Sequence, residues 1–282
     1  MVTPQGKLIP IGGSENKNCR ESGDCQTTFY ESGILKRLLS EMKGADSRIE
    51  LIPTASGVPE LTTQRYISAF KKLGCENVGV LPIQNKQDAF NPEYVERIEL
   101  SDGVFFTGGN QSRLGMFFTE TPVLEVLTKR YINDDFVIAG TSAGAMAMSY
   151  RMITGGAPTS FEQGGVNIST GLSFINDTII DTHFVKRGRF GRLTQAVAAN
   201  PGSLGIGLAE DTGLILSSGS ECEIIGSGQV IFIDGHALKH KVKSTLSTTL
   251  SVKDLAIHVL AREDTYSLKE HSFAGKTEAL AS

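Results

Sequence analysis

Short runs of apolar residues alternate with amphipathic segments along the first half of the chain. Five runs have the length and composition of buried strands: Leu8–Ile11, Ile49–Ile52, Val78–Leu81, Gly103–Phe106 and Phe136–Ala139. Four segments between them place apolar residues at helical spacing: Phe29–Met42, Gln64–Leu73, Asn91–Leu100 and Thr121–Tyr131. This alternation predicts an α/β fold with a mostly parallel sheet covered by helices on both faces.

The second half continues the alternation but contains more strands. Thr178–Ile180 and Leu204–Leu208 are predicted strands on either side of a helix over Arg189–Ala199. Four further runs predict an antiparallel edge or meander: Gly213–Ser217, Cys222–Ile225, Val230–Ile233 and Leu246–Val252. The sequence contains no internal repeat or linker, so we expect a single domain over residues 1–282. The small and polar residues from about position 273 predict a frayed tail.

Composition narrows the class of protein. Hydrophobic residues make up 40%, charged residues 21%, and the net charge is −4, which predicts no general attraction to nucleic acid or anionic lipid. No apolar stretch approaches the roughly 20 residues of a membrane span, and the first residues lack a signal-peptide core. We therefore expect a cytoplasmic protein whose four cysteines are free thiols, although Cys19 and Cys25 share a polar loop and could form a bridge or bind a metal.

A serine lies at a predicted strand-to-helix turn. Ser142 follows the apolar run Phe136–Ala139, and its neighbours Gly140, Ala143 and Gly144 are small enough for a sharp turn. This is the pattern of a nucleophile elbow, in which a helix N-terminus offers free N–H groups beside the serine. The alternative is a glycine-rich turn with an incidental serine.

Five polar or glycine-rich segments follow predicted strands: Gly12–Asn16, Gly108–Arg113, Gly140–Gly144, Asp181–Arg192 and Glu210–Thr212. Ligands of open α/β sheets bind beyond the carboxyl ends of the strands, so we expect these segments to gather there. Of the five histidines, His183 alone follows a strand that should end at this edge, which makes it the candidate base. Glu210, Asp211 and Asp181 compete as the acid that orients it.

Two further features accompany the candidate base and nucleophile. The N–H groups after Gly108 could complete an oxyanion hole with that of Ala143, although a simple turn would also use these glycines. Four basic residues follow His183 closely: Lys186, Arg187, Arg189 and Arg192. Such charges commonly serve only solubility, but arginines beside a base could also hold substrate carboxylates.

Together the motifs resemble those of the cyanophycinases, serine peptidases whose family also contains the α-aspartyl dipeptidases. The resemblance rests on Gly140–Ala145, Phe106–Gln111 and Asp181–Leu193, and is extended by Ile11–Asn16 and Gly205–Thr212. It covers nearly the whole chain, and the joint order and spacing of the motifs are specific.

The resemblance implies a flavodoxin-like three-layer α/β/α sandwich that forms a homodimer and needs no metal or other cofactor. It implies Ser142 as nucleophile, His183 as general base and Glu210 as its orienting acid, with oxyanion-hole N–H groups from Gly109 and Ala143. The implied substrate-binding residues are Gln111, Asp181, Thr182, Arg187, Arg189 and Arg192. At Thr182 family members often have Gln, so a short hydroxyl replaces a long amide.

The implied substrate is cyanophycin, a poly-aspartate backbone with arginine on each side-chain carboxyl, which is cut to β-Asp-Arg dipeptides. One alternative is a peptidase of the same family acting on short aspartyl or isoaspartyl peptides. A second is a catalytically silent binding protein of related fold. The loop Asn16–Thr27 is unlike the family's sequences and could shape access to the site.

Overall fold

A computed structural model describes residues 2–17, 29–157, 164–238, 240–242 and 250–273. The largest sheet has nine strands, in the spatial order β17 (Ser272–Phe273), β16 (Thr265–Ser267), β11 (Glu221–Gly226), β10 (Thr212–Ser217), β1 (Lys7–Ile11), β5 (Val137–Thr141), β4 (Gly103–Phe106), β2 (Ile49–Ile52), β3 (Val78–Val80). The five strands from β1 to β3 are parallel, and the four on the other side of β1 are antiparallel. The predicted α/β class is therefore confirmed.

A second sheet has four strands, in the order β15 (Ala256–Leu260), β12 (Val230–Asp234), β9 (Leu204–Leu208), β8 (Thr178–Asp181). Only β8 and β9 are parallel in it. The sequence pattern predicted β8, β9 and β12 but not β15, and it did not separate these strands from the main sheet, because strand pairing depends on distant residues. The described residues also contain two separate antiparallel pairs: β6 (Arg151–Gly156) with β7 (Val166–Thr170), and β13 (His240–Val242) with β14 (Ser251–Lys253).

Helices in the described ranges include α1 (Ile34–Ser40), α2 (Pro59–Lys72), α3 (Pro92–Glu99), α4 (Gln111–Phe118), α5 (Pro122–Asn133), α6 (Ala143–Met146) and α7 (Phe190–Ala199). The side chains of Asn91 and Thr121 cap α3 and α5, each followed by a proline at the first helical position. The helix predicted over Phe29–Met42 is interrupted: residues 29–31 are helical, Gly33 is extended, and α1 begins after it. The sequence pattern did not predict α4, the β6–β7 hairpin or the short 3₁₀ segments Gly44–Asp46 and Asp88–Phe90.

Apolar residues pack on both faces of the nine-stranded sheet because neighbouring strand residues point to opposite sides. Ile9 and Phe105 belong to a core with Leu35 of α1 and Phe70 of α2. On the opposite face Leu8 belongs to a core that also contains side chains of α5, α7 and the four-stranded sheet. None of the helices in the described ranges is long and apolar enough to cross a membrane.

Candidate active site

Ser142 lies at the turn between β5 and the one-turn helix α6. Its backbone has φ 52° and ψ −110°, an unusual conformation for a residue other than glycine. The Ser142 N–H donates to the carbonyl oxygen of Ile11 over 2.9 Å, which ties the turn to the neighbouring strand β1. The turn needs small residues because a Cβ on Gly144 would lie 2.4 Å from the carbonyl oxygen of Phe106. The strained backbone presents the serine hydroxyl at the carboxyl end of β5.

Ser142, His183 and Glu210 are joined by two hydrogen bonds. Ser142 Oγ lies 3.0 Å from His183 Nε2, and His183 Nδ1 lies 2.7 Å from Glu210 Oε1. Lys186 Nζ donates to the other carboxylate oxygen of Glu210 over 2.8 Å. The His183 backbone has φ 50°, and its N–H donates to the carbonyl oxygen of Gly12 over 2.9 Å. A hydroxyl, an imidazole and a carboxylate so arranged have the geometry for nucleophilic catalysis.

The electrostatic environment of Ser142, His183 and Glu210 favours a neutral imidazole at His183. Burial raises the pKa of Glu210, but hydrogen bonds from Lys186 and His183 outweigh that effect and hold its pKa at about 2. Burial lowers the pKa of His183, and this outweighs the raising effect of the Glu210 hydrogen bond. The positive charge of Arg187 lowers the pKa of His183 further. Glu210 is therefore ionised near neutral pH while His183 can accept a proton.

Backbone N–H groups of Gly109 and Ala143 lie in the turns beside Ser142. A Cβ on Gly108 would be 3.3 Å from Ser142 Cβ, so the turn after β4 lies next to Ser142. Gly109 has φ 143°, and a Cβ there would be 1.9 Å from the carbonyl oxygen of Ala55. Neither the Gly109 nor the Ala143 N–H donates to another residue in the described part of the chain. Because α6 is only one turn long, local N–H groups rather than a long helix dipole would act on an oxyanion.

Ser142, His183 and Glu210 lie in the wall of a cleft with a volume of about 1320 Å³. All five segments predicted to gather at the sheet edge contribute to its wall, through Gly13, Gly108, Ser142, His183 and Glu210 among others. Charged side chains of both signs line it: Glu15, Lys17, Arg65, Lys186, Glu210, Asp211 and Arg262. The cleft therefore offers partners for carboxylates and for cationic groups of one ligand.

Glu15 is a buried carboxylate at this cleft; its segment, Gly12–Asn16, was expected here, but no role was predicted for its side chain. It accepts hydrogen bonds from Tyr66 Oη and, over 2.7 Å, from Thr141 Oγ1, and Lys17 Nζ lies 2.9 Å from it. Burial raises the pKa of Glu15, but the charge of Lys17 and these hydrogen bonds outweigh it and lower the pKa overall. Thr141 directly precedes Ser142, so the hydrogen bond to Glu15 anchors the end of β5 beside the turn. The available signal was its position shortly after Gly12 and Gly13, the glycine pair that follows β1.

A largely buried cluster of ion pairs lies beside the backbone that leads into His183. It consists of Asp181, Arg189 and Arg192. Arg192 binds the Asp181 carboxylate through two nitrogens, at 2.7 and 2.6 Å, and Arg189 Nη1 donates to it over 3.0 Å. Asp181 also accepts the Thr182 N–H over 2.8 Å, and Arg189 donates to the Thr182 carbonyl over 2.7 Å. These contacts hold the backbone directly before His183. The three side chains thus bind one another, and none of them is in the cleft wall.

The remaining predicted residues lie in different environments. The Gln111 side chain donates to the Ile153 carbonyl over 2.7 Å and is outside the cleft wall. Thr182 is fully buried, and its hydroxyl makes no hydrogen bond to the residues described here. Arg187 is exposed. Asp211, an alternative to Glu210, instead accepts from Ser227 Oγ over 2.8 Å.

No cysteine is among the described residues of the cleft wall. Cys75 and Cys222 are buried free thiols. Cys19 and Cys25, and most of the loop Asn16–Thr27, fall outside the described residues.

Comparisons with known proteins identify the family of this chain. The sequence model "Peptidase family S51" matches residues 21–225. The chain is 33% identical over 278 residues to a cyanophycinase of Nostoc sp. strain PCC 7120, covering 96% of this chain and 90% of the relative. It is 32% identical over 270 residues to a cyanophycinase of Geminocystis herdmanii, covering 95% of each. A crystal structure of a peptidase from an acI-B1 Actinobacterium shares the fold with a TM-score of 0.66 at 23% identity, covering 95% of this chain and 98% of that one. The chain therefore belongs to peptidase family S51.

Proposed function

We propose that this peptidase hydrolyses cyanophycin to β-Asp-Arg dipeptides, acting as a serine-type exopeptidase. The observation that carries the proposal is the hydrogen-bonded line from Ser142 through His183 to Glu210 at the wall of a large cleft. The substrate is taken from the relatives, since cyanophycinases match 95–96% of this chain.

The reaction proceeds through an acyl-enzyme. His183 Nε2 removes the hydroxyl proton as Ser142 Oγ bonds to the substrate carbonyl carbon, and the carbonyl oxygen gains negative charge. The N–H groups of Gly109 and Ala143 stabilise that charge. His183 then gives its proton to the leaving nitrogen as the C–N bond breaks. Water, deprotonated by His183, attacks the ester, and Ser142 regains a proton.

The charges around the cleft suit this substrate. Cyanophycin presents carboxylates and guanidinium groups in each repeating unit, so its binding site needs partners of both signs. Lys186 and Arg65 in the cleft wall, with Arg187 exposed beside His183, are cations for carboxylates. Asp211 is an anion in the wall for a guanidinium. Gln111, Thr182 and the Asp181–Arg189–Arg192 cluster would then act on binding indirectly, by positioning the base and the neighbouring turns.

The test is incubation of the purified full chain with insoluble cyanophycin, with clearing and product masses followed together. We expect release of β-Asp-Arg by the wild type, and loss of several decades of turnover in Ser142→Ala with unchanged circular dichroism. Ser40→Ala, on the exposed surface of α1, is the matched control and should behave as wild type. Near-normal turnover by Ser142→Ala would refute the mechanism. Hydrolysis of aspartyl or isoaspartyl dipeptides without clearing would retain the nucleophile and replace the substrate.

We also propose that residues 1–282 form one folding unit, and that the protein acts as a homodimer in the cytoplasm. Light scattering after size exclusion tests the dimer, since a single monomer mass would refute it. A single calorimetric transition is expected for one folding unit.

A further inference from the structure

A second cluster of polar side chains lies away from the cleft, where the two sheets meet. Asp234 ends β12 of the four-stranded sheet, and His236 follows in the next turn. His271 lies in the turn before β17 of the nine-stranded sheet. Asp234 pairs with Leu204 at the start of β9, whereas Glu210 follows the opposite end of that strand. The length of β9, five residues or about 13 Å, therefore separates this cluster from the site of Ser142, His183 and Glu210.

The three side chains converge through atoms that bind metals. His236 Nδ1 lies 2.7 Å from Asp234 Oδ1, and His271 Nδ1 lies 3.1 Å from Asp234 Oδ2. One ligand atom from each residue lies within 4.8 Å of the other two. Tetrahedral zinc, with bonds of about 2.0–2.1 Å, separates its ligand atoms by about 3.4 Å. The distance from His236 Nδ1 to Asp234 Oδ1 therefore needs to open by about 0.7 Å to admit such an ion.

Ordinary hydrogen bonding does not account for His271. Its Nδ1 is shielded from solvent, yet it makes no hydrogen bond of acceptable geometry to any residue that the structure describes. The atom is close to Asp234 Oδ2, but its bonding direction points elsewhere. A buried polar atom without a partner is costly, and a metal ion is one way to satisfy it.

The carboxylate is held in place, while the imidazoles leave a path for an ion. Asp234 Oδ1 accepts the backbone N–H of His236 over 2.8 Å, which fixes the side chain at the turn. The Asp234 side chain is 11% exposed, whereas those of His236 and His271 are 40% and 33% exposed. An ion could therefore enter from solvent, and water could complete its coordination.

We propose that Asp234, His236 and His271 form a binding site for a divalent transition-metal ion, with Zn²⁺ as the reference ion. Two imidazoles and one carboxylate are a ligand set that suits Zn²⁺, Co²⁺ and Ni²⁺ better than Ca²⁺ or Mg²⁺. The ion joins the end of β12 to the turn before β17, next to the stacked rings of Phe232 and Tyr266, whose centroids lie 4.2 Å apart. Its role is to fasten the four-stranded sheet to the antiparallel edge of the nine-stranded sheet.

The test is titration of chelator-treated, full-length protein with Zn²⁺ by calorimetry, with Co²⁺ absorption as a second readout. We expect one equivalent to bind to the wild type, with a higher unfolding temperature in the presence of Zn²⁺. His236→Ala and His271→Ala should each weaken binding by more than about 100-fold, since even indirect partners of a metal ligand cost 10–100-fold. His236 is partly exposed, so His236→Ala should still fold, as circular dichroism would verify.

Controls separate this site from others. His258→Ala removes an imidazole on β15, opposite Phe232 but outside the cluster, and should bind Zn²⁺ as wild type does. His183→Ala and the double variant Cys19→Ser, Cys25→Ser should also bind one equivalent of Zn²⁺. The proposal is overturned if the wild type binds no stoichiometric Zn²⁺, or if the His236 and His271 variants bind it as tightly as wild type. Loss of binding in the His183 or cysteine variants would place the ion elsewhere and also overturn it.

Discussion

Lys186 Nζ lies 2.8 Å from Glu210 Oε2, the carboxylate oxygen that does not bind His183. The carboxylate therefore stands between a lysine and an imidazole. This places a positive charge against the carboxylate that binds His183, on a side chain that is 70% exposed. Lys186 can therefore influence the pKa of His183 through Glu210, without a hydrogen bond to the imidazole.

Replacing Lys186 by methionine should move the acid limb of the pH–rate profile upward. The cation lowers the pKa of Glu210, and its removal also favours the protonated form of His183. Because solvent screens an exposed lysine, we expect a shift of about 0.5–1 pH unit in kcat/KM. Lys129→Met, on the exposed surface of α5, is the control and should leave the profile unchanged. An unshifted profile in Lys186→Met would show that the lysine has no electrostatic influence on the base.

The wild-type profile should itself have a low acid limb. Burial holds the pKa of His183 below its usual 6.5, and only the neutral imidazole can accept the Ser142 proton. Activity is therefore expected to persist as pH falls through 6.5 and to disappear at a lower pH. Measurement of kcat/KM from about pH 4 to 9 tests this. A half-maximal point above 6.5 would contradict the environment described for His183.

Gly13→Ala should damage catalysis more than folding. A Cβ at Gly13 would lie 2.4 Å from His183 Cε1 and 2.5 Å from Nε2, so the ring must leave its hydrogen bond to Ser142. We expect turnover to fall at least about 100-fold, since misplacement of a reacting group by about 1 Å costs that much. Gly44→Ala is the matched control, because Gly44 also has positive φ but no atom lies within 4 Å of its Cβ position. Comparable turnover in the two variants would show that contact with the ring is unimportant.

Asp181→Asn should destabilise the protein. The substitution leaves two guanidinium groups, of Arg189 and Arg192, without their buried carboxylate. We expect the free energy of unfolding, measured in urea, to fall by about 3–5 kcal/mol. Asp135→Asn removes a carboxylate whose side chain is 82% exposed and should change it by less than about 0.5 kcal/mol. Full stability with a raised KM would instead indicate that Asp181 binds substrate directly.

Local patterns in the sequence were sufficient to predict most of the elements. Apolar runs placed β1, β2 and β4 within a residue of their observed bounds, and Asn91 and Thr121 were recognisable as helix starts because capping needs only neighbouring residues. The motif around Ser142 predicted a sharp turn from the sizes of its own residues. The resemblance to the cyanophycinases is confirmed by the family match and by the identities to curated relatives.

Contacts between distant segments were decided only by the tertiary structure. Sequence alone left Glu210, Asp211 and Asp181 as possible partners of His183, and the fold brings Glu210 to within 2.7 Å. The same packing turns Asp181 toward Arg192, a pairing that composition could not distinguish from a substrate pocket. The hydrogen bond between Glu15 and Thr141, and the approach of His271 to Asp234, likewise join residues that are far apart in the sequence. Local propensity fixes where strands and turns form, whereas burial and strand pairing determine which charged groups meet.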